Sequence, residues 1–217
     1  MKPRLLDLFC GAGGSAVGYA RAGFEVVGVD IEPQPNYPYD FLQADALEFL
    51  LWDRGEWDAI HASPPCQYAT DYQRTGVPYA TANLIPATRA LLKRTGLPYV
   101  IENVEKAAPD LVEPVLLCGS MFDLDVQRHR LFETNWGLEY PWRPCRHKTW
   151  ADDRYPGATN RNGRRTVEVG VWRIPLEVQQ AAMGIDWMTL PELSEAVPPA
   201  YTEFIGEQLL ARVQVPA

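Results

Sequence analysis

The mostly apolar run Arg4–Phe9 breaks at the glycine-rich stretch "CGAGG" (10–14), and apolar positions resume with helical spacing through Ala22. The run has the length of a buried strand, the glycines suit a tight turn, and Ser15 can cap the helix. "FEVVGVD" is a second buried strand ending on an acid, and "DFLQADALEFLL" leads into a short helix. "WDAIHAS" reads as a further strand running directly into "PPCQ". "TANLIPATRALLKRTG" has helical spacing with a kink or break expected at Pro86. "LPYVIENV" and "RHRLFETNWGL" read as strands, and "PLEVQQAAMGI" and "PPAYTEFIGEQLLARV" as helices with proline in the first turn. Strands alternating with helices predict an α/β fold with a mostly parallel sheet covered on both faces. "EYPWRPCRHKTWADDRYPGATNRNGRRT" has no period and reads as a long functional loop or small insertion. The pattern therefore divides into one unit, residues 1–133 with 174–217, and a short basic insertion, 134–173.

The 217 residues are 47% hydrophobic and 22% charged, which suits a globular chain with one sizeable core. No apolar run approaches the roughly 20 residues of a membrane helix. The N-terminus lacks the apolar region and cleavage site of a signal peptide, so a cytoplasmic location is expected. Cys10, Cys66, Cys118 and Cys145 have no C-x-x-C spacing. They are expected as thiols in a reducing compartment. His129 and the Cys145/His147 pair lack the spacing of common zinc sites, so no metal is expected. The net charge of −8 argues against a nucleic-acid partner. Residues 126–173, however, carry 10 Lys/Arg against 5 Asp/Glu, a local +5 on a body of −13. That asymmetry is compatible with one localised anionic ligand.

Three features carry candidate chemistry. "DLFCGAGG" followed by "VVGVD" has the character of a nucleotide-cofactor loop, where glycines let backbone approach a ligand. Its G-x-G-G spacing favours an adenosine cofactor over a pyrophosphate cradle, with Asp30 toward ribose hydroxyls and Asp45 toward an adenine amino group. Cys66 ends a strand, where open α/β sheets bind ligands, and Pro64 and Pro65 stiffen the turn that carries it. From that segment alone a buried structural cysteine and a nucleophile are equally good readings. Glu102 ends another strand and emerges on the same edge, where a desolvated carboxyl group can donate to a ring nitrogen. Arg128 and Arg130 alternate along a strand and suit a phosphate or a carbonyl oxygen. His61 reads as a satisfied core histidine.

In this order, "DLFCGAGG", "SPPCQ", "ENV", "RHRLF" and "PPAYTEFIGEQLL" resemble the ordered motifs of DNA cytosine-5 methyltransferases, most of all short phage-encoded members. The resemblance implies a Rossmann-like S-adenosylmethionine-dependent methyltransferase fold, S-adenosylmethionine as cofactor and cytosine in DNA as substrate. It implies Cys66 as the nucleophile, Glu102 on ring nitrogen 3, and Arg128 and Arg130 supporting the base. Phe9, Gly11, Gly13, Gly14, Asp30, Ile31, Asp45, Ala46, Pro65 and Gly206 match cofactor-side positions. The segment after Cys66, including Gln67 and Arg74, matches a mobile loop that closes over a flipped base. Only about 40 residues are left to read the target. Arg143, Arg146, Lys148, Arg161, Arg164 and Arg165 are accordingly expected mainly on phosphates, and the target sequence is expected to be short. Two other functions fit the acidic body and small reader: cytosine methylation of RNA or a nucleotide, and a non-catalytic regulator that binds S-adenosylmethionine or DNA.

Overall fold

The computed structural model describes residues 2–52, 55–66, 82–145 and 166–213. Its centre is a seven-stranded sheet, built from β1 (Arg4–Leu8), β2 (Glu25–Asp30), β3 (Asp40–Gln43), β4 (Ala59–Ala62), β5 (Tyr99–Asn103), β6 (Val115–Leu117) and β7 (Arg130–Thr134). The spatial order is β3-β2-β1-β4-β5-β7-β6. The first five strands are parallel, and β7 lies antiparallel between β5 and β6. The helices are α1 (Gly14–Ala22), α2 (Ala46–Trp52), α3 (Ile85–Thr95), α4 (Leu176–Met183), α5 (Leu190–Glu195) and α6 (Pro199–Val213).

Strand periodicity sorts the core onto two faces. Leu5, Val26, Ala59, Val100 and Phe132 pack with residues of α1 and α6. Leu6, Leu8, Val29, Ile60 and Ile101 pack with residues of α2 and α3. A third apolar cluster joins Ala12 of the glycine loop to Val126 and to Met183, Ile185, Met188 and Leu193. The α/β expectation of a mostly parallel, doubly covered sheet is borne out.

Four local readings change. The first helix is entered from Gly13 in the left-handed region (φ 84°), and Ser15 is buried inside its first turn rather than capping it. Pro86 lies in the first turn of α3, where its missing N–H is harmless, so it starts the helix and does not kink it. The strand carrying "RHRLF" begins at Arg130; Arg128 precedes it with φ 37°, so the two arginines do not alternate along one strand. Helix α5 went unrecognised, although "TLPE" carries its capping box: the Thr189 N–H and hydroxyl both donate to Glu192, at 2.7 Å each. No helix among the described residues is long and apolar enough to cross a membrane.

Candidate functional site

Strands β1, β2, β4 and β5 are parallel, so their C-terminal ends share one edge. The glycine loop, Asp30, the "SPPC" turn and Glu102 all lie there, which is where open parallel sheets bind ligands.

The loop after β1 is built on unusual backbone. Phe9 has φ 57°, a conformation few aromatic residues adopt. Gly13 and Gly14 are required by packing: a Cβ on Gly13 would meet Pro38 and Tyr37 at 2.8 and 2.9 Å, and one on Gly14 would meet the Val197 carbonyl at 2.4 Å. Gly11 differs. Its φ is +48°, yet a Cβ there would meet nothing within 4 Å. Backbone is thus laid open at Gly11 alone of the three. The Gly11 N–H donates to Asp30 Oδ2 at 3.0 Å, and the Glu32 N–H donates to Asp30 Oδ1 at 3.0 Å. Each oxygen keeps further acceptor capacity for a ligand hydroxyl. Ile31 follows, 60% exposed, a large apolar side chain beside that carboxylate. These features fit an adenosine-type ligand. From the C-terminal part of the chain, the Trp187 indole donates to the Ala12 carbonyl at 2.8 Å and fixes the loop from the opposite side.

Asp45 caps α2, its Oδ1 accepting from the N–H groups of Leu47 and Glu48 at 2.9 Å each. Ala46 is buried behind it. A cleft of about 380 Å³ lined by Ala44, Asp45, Glu48, Phe49 and Trp52 opens beside this cap. Gly206, expected on the cofactor side, sits elsewhere. A Cβ there would meet the Ala22 Cβ at 2.6 Å and the Tyr19 ring at 3.2 Å, so it is a contact glycine between α6 and α1.

Cys66 is half-buried at the end of the proline turn, with Pro65 half-buried beside it. Burial pushes its thiol above 9.0, the neighbouring Glu102 carboxylate adds to the rise, and Arg130 opposes it. The turn is fastened to β5 by a residue not singled out in the sequence: buried Asn103, whose Nδ2 donates to the Pro64 carbonyl at 2.8 Å. The Ser63 N–H donates to the Leu8 carbonyl at 3.1 Å, tying the same turn to the end of β1.

Glu102 is 6% exposed and pairs with Arg130, Nε to Oε1 3.0 Å. Burial raises its affinity for a proton, while Arg130, the Ser63 hydroxyl and Arg128 pull the other way; the balance lies upward. Ser63 in turn meets His61 Nε2 at 2.9 Å, and His61 Nδ1 meets the Tyr19 hydroxyl at 2.9 Å. Desolvation holds His61 down to about 3, so it is a neutral, fully hydrogen-bonded core histidine that supports Ser63. Arg128 is committed differently from Arg130. Its Nε donates to the Ala196 carbonyl and its Nη2 to the Ser194 carbonyl, both at 2.6 Å. Burial and Arg130 lower it to about 9. The Tyr201 hydroxyl donates to the carbonyls of Gln127 and Arg128, at 3.2 and 2.8 Å, so α6 pins the arginine segment.

Of the residues expected on nucleic acid, Arg143 is described: it is exposed and paired with Asp123. Gln67, Arg74, Arg146, Lys148, Arg161, Arg164 and Arg165 lie outside the described residues.

No family model matches the chain, and no curated protein matches it. Solved structures do. A protein assigned as a DNA modification methyltransferase encoded within an E. coli prophage superposes with a TM-score of 0.60 at 16% identity, covering 97% of this chain and 99% of that one. A mutant of DNMT2 from Spodoptera frugiperda gives 0.59 at 14% identity over 96% and 99%. A methyltransferase of Entamoeba histolytica, EhMeth, gives 0.62 at 12% identity over 99% and 100%. The chain therefore shares its Rossmann-like α/β fold with these solved methyltransferase structures.

Proposed function

We propose that the protein is a DNA (cytosine-5)-methyltransferase acting through a covalent Cys66 adduct. The observation that carries the reading is one constellation on the sheet edge: a thiol on a braced turn, a buried carboxyl group acting on it electrostatically, and an arginine paired to that carboxyl. The similar solved structures include a DNA modification methyltransferase by name, which supports the same class.

In this reading Asp30, Ile31 and the open backbone at Gly11 hold S-adenosylmethionine, with Phe9 and Pro65 beside it. When bound, that cofactor supplies an electrophilic methyl group. Cys66 loses its proton and its sulfur bonds to carbon 6 of a cytosine flipped out of the stack. Glu102, whose affinity for a proton is raised by burial, donates a proton to ring nitrogen 3 as the thiolate adds, so the ring can take up the electron pair. Carbon 5 becomes enamine-like and nucleophilic, and accepts the methyl group. Loss of the carbon-5 proton to a base, with return of the nitrogen-3 proton to Glu102, then drives out the Cys66 thiolate and restores the ring. Arg130 holds Glu102 in place throughout. Arg128, spent on the Ser194 and Ala196 carbonyls, braces the site rather than touching the base.

DNA containing 5-fluorocytosine tests this, because fluorine cannot leave as a proton would and the adduct persists. A band that resists denaturation and vanishes in Cys66→Ala is expected. Absence of that band on DNA, with one on RNA of the same sequence, would move the substrate to RNA; absence on both refutes the mechanism. The short reader adds a second expectation, that bisulfite sequencing of modified DNA finds a target shorter than about six base pairs.

A further inference from the structure

Cys118, His129 and Cys145 are far apart in sequence, but their Sγ and ring-nitrogen atoms all lie within 4.8 Å of one another. No local spacing announces this cluster. Cys118 follows β6, His129 precedes β7, and Cys145 ends the first described part of the basic insertion. Cys145 Sγ is 3.4 Å from His129 Nε2. A zinc ion bound to one sulfur at about 2.3 Å and one nitrogen at about 2.0–2.1 Å in a tetrahedron separates those atoms by about 3.5 Å.

The surroundings are those of a metal ligand set. His129 Nδ1 is 3.0 Å from Glu105 Oε2, which directs Nε2 toward the two sulfurs. A carboxylate on the far nitrogen is the usual outer support of a metal-bound histidine. The Cys118 turn is locked in position: the Gly119 N–H donates to the Gln127 carbonyl at 2.8 Å, and a Cβ on Gly119 would lie 2.0 Å from the Val126 carbonyl. Cys118 is buried, while His129 and Cys145 are partly exposed, which leaves an entry path.

We propose that Cys118, His129 and Cys145 bind a structural zinc ion that staples the base of the basic section to the segment carrying Arg128 and Arg130. Two thiolates and a neutral imidazole suit zinc, and together with it sum to zero charge. The two thiol protons are released to solvent on binding. One tetrahedral position remains outside these three side chains. The staple has a mechanical purpose. Residues 134–145 contribute only Leu138 and, partly, Trp136 and Cys145 to the apolar clusters. A metal replaces the core that so short an insertion cannot build.

The full chain, purified without a histidine tag or chelator from zinc-supplemented cells, is expected to carry about one zinc by elemental mass spectrometry. Cobalt(II) in place of zinc should give an intense thiolate-to-cobalt band. Cys118→Ser with Cys145→Ser should lose both signals. Glu105→Gln should bind zinc roughly tenfold more weakly while keeping its stoichiometry at saturation. The wild-type zinc content and cobalt spectrum need no variant to fold. Wild-type protein with neither signal overturns the proposal, as does a Cys118–Cys145 disulfide found in unreduced peptides. Neither measurement depends on methyl transfer, so the staple and the proposed activity stand or fall separately.

Discussion

Asn103→Ala tests whether the thiol-bearing turn is held from β5. The side chain is 2% exposed; its Nδ2 donates to the Pro64 carbonyl at 2.8 Å and its Oδ1 accepts from the Val104 N–H at 3.0 Å. Alanine deletes both bonds. Pro64 is itself buried, so water cannot simply replace the lost donor. A buried acceptor left unpaired costs about 1–3 kcal/mol. For a chain of this length each kcal/mol lowers Tm by about 2–4 °C, so a fall of about 2–12 °C is expected. The second effect is local. With the turn released, Cys66 should react faster with iodoacetamide, while buried Cys10 and Cys118 should not. Mass spectrometry of the labelled peptides, alongside a thermal melt, reads both. An unchanged Tm with unchanged Cys66 labelling would show that the two prolines alone hold the turn, and the role assigned to Asn103 would be wrong.

Labelling of Cys66 against pH should climb about tenfold per unit through neutrality and show no plateau below 9.0, since burial and Glu102 both raise the thiol. Arg130→Leu removes the opposing cation and should delay the plateau further; a plateau below 9.0 contradicts the assignment. Arg128→Ala loses two charge-assisted bonds to the Ser194 and Ala196 carbonyls, each worth about 1.5–3 kcal/mol. It should lower Tm and speed hydrogen exchange in residues 190–197; unchanged exchange there would exclude the brace. Asp7 is buried in β1, and burial followed by the Asp30 charge holds its carboxyl well above 3.8. The folded chain therefore keeps a proton that the unfolded chain releases, so stability falls as pH rises from about 3.8 toward the folded value. Asp7→Asn should flatten that slope in urea titrations across pH, and an identical slope would refute the account.

Most of the sheet was legible because its strands are short apolar runs ending in glycine, acid or proline, and parallel strands buried on both faces read that way. The edge was legible for the same reason: Asp30, Cys66 and Glu102 each close a run. What could not be read was side-chain commitment. Arg128 and Arg130 look equivalent in "RHR", and only the positive φ at Arg128 turns one toward α5 while the other reaches Glu102. Gly206 sits in a helix whose motif suggested a cofactor contact, and its need for a small residue comes from α1 across the packing. Asn103 was within the quoted "ENV", but nothing local says that its amide reaches back to Pro64. Cys118, His129 and Cys145 show the limit most clearly, since through-space ligand sets leave no spacing to find.

The ties that hold the site come from parts of the chain remote from it: Asn103 to Pro64, Tyr201 to the Gln127 and Arg128 carbonyls, Trp187 to Ala12, and Arg128 to the end of α5. None of them uses residues 134–173. These four ties are therefore independent of the length of the insertion. The insertion's described links to the arginine segment include the Val167 N–H, which donates to the Asp125 carbonyl at 2.7 Å, and the contact of Cys145 with His129, beside Cys118. Under the proposed function, a shorter insertion would change which substrates are admitted, while those four ties keep the thiol, the carboxyl group and the glycine loop in place.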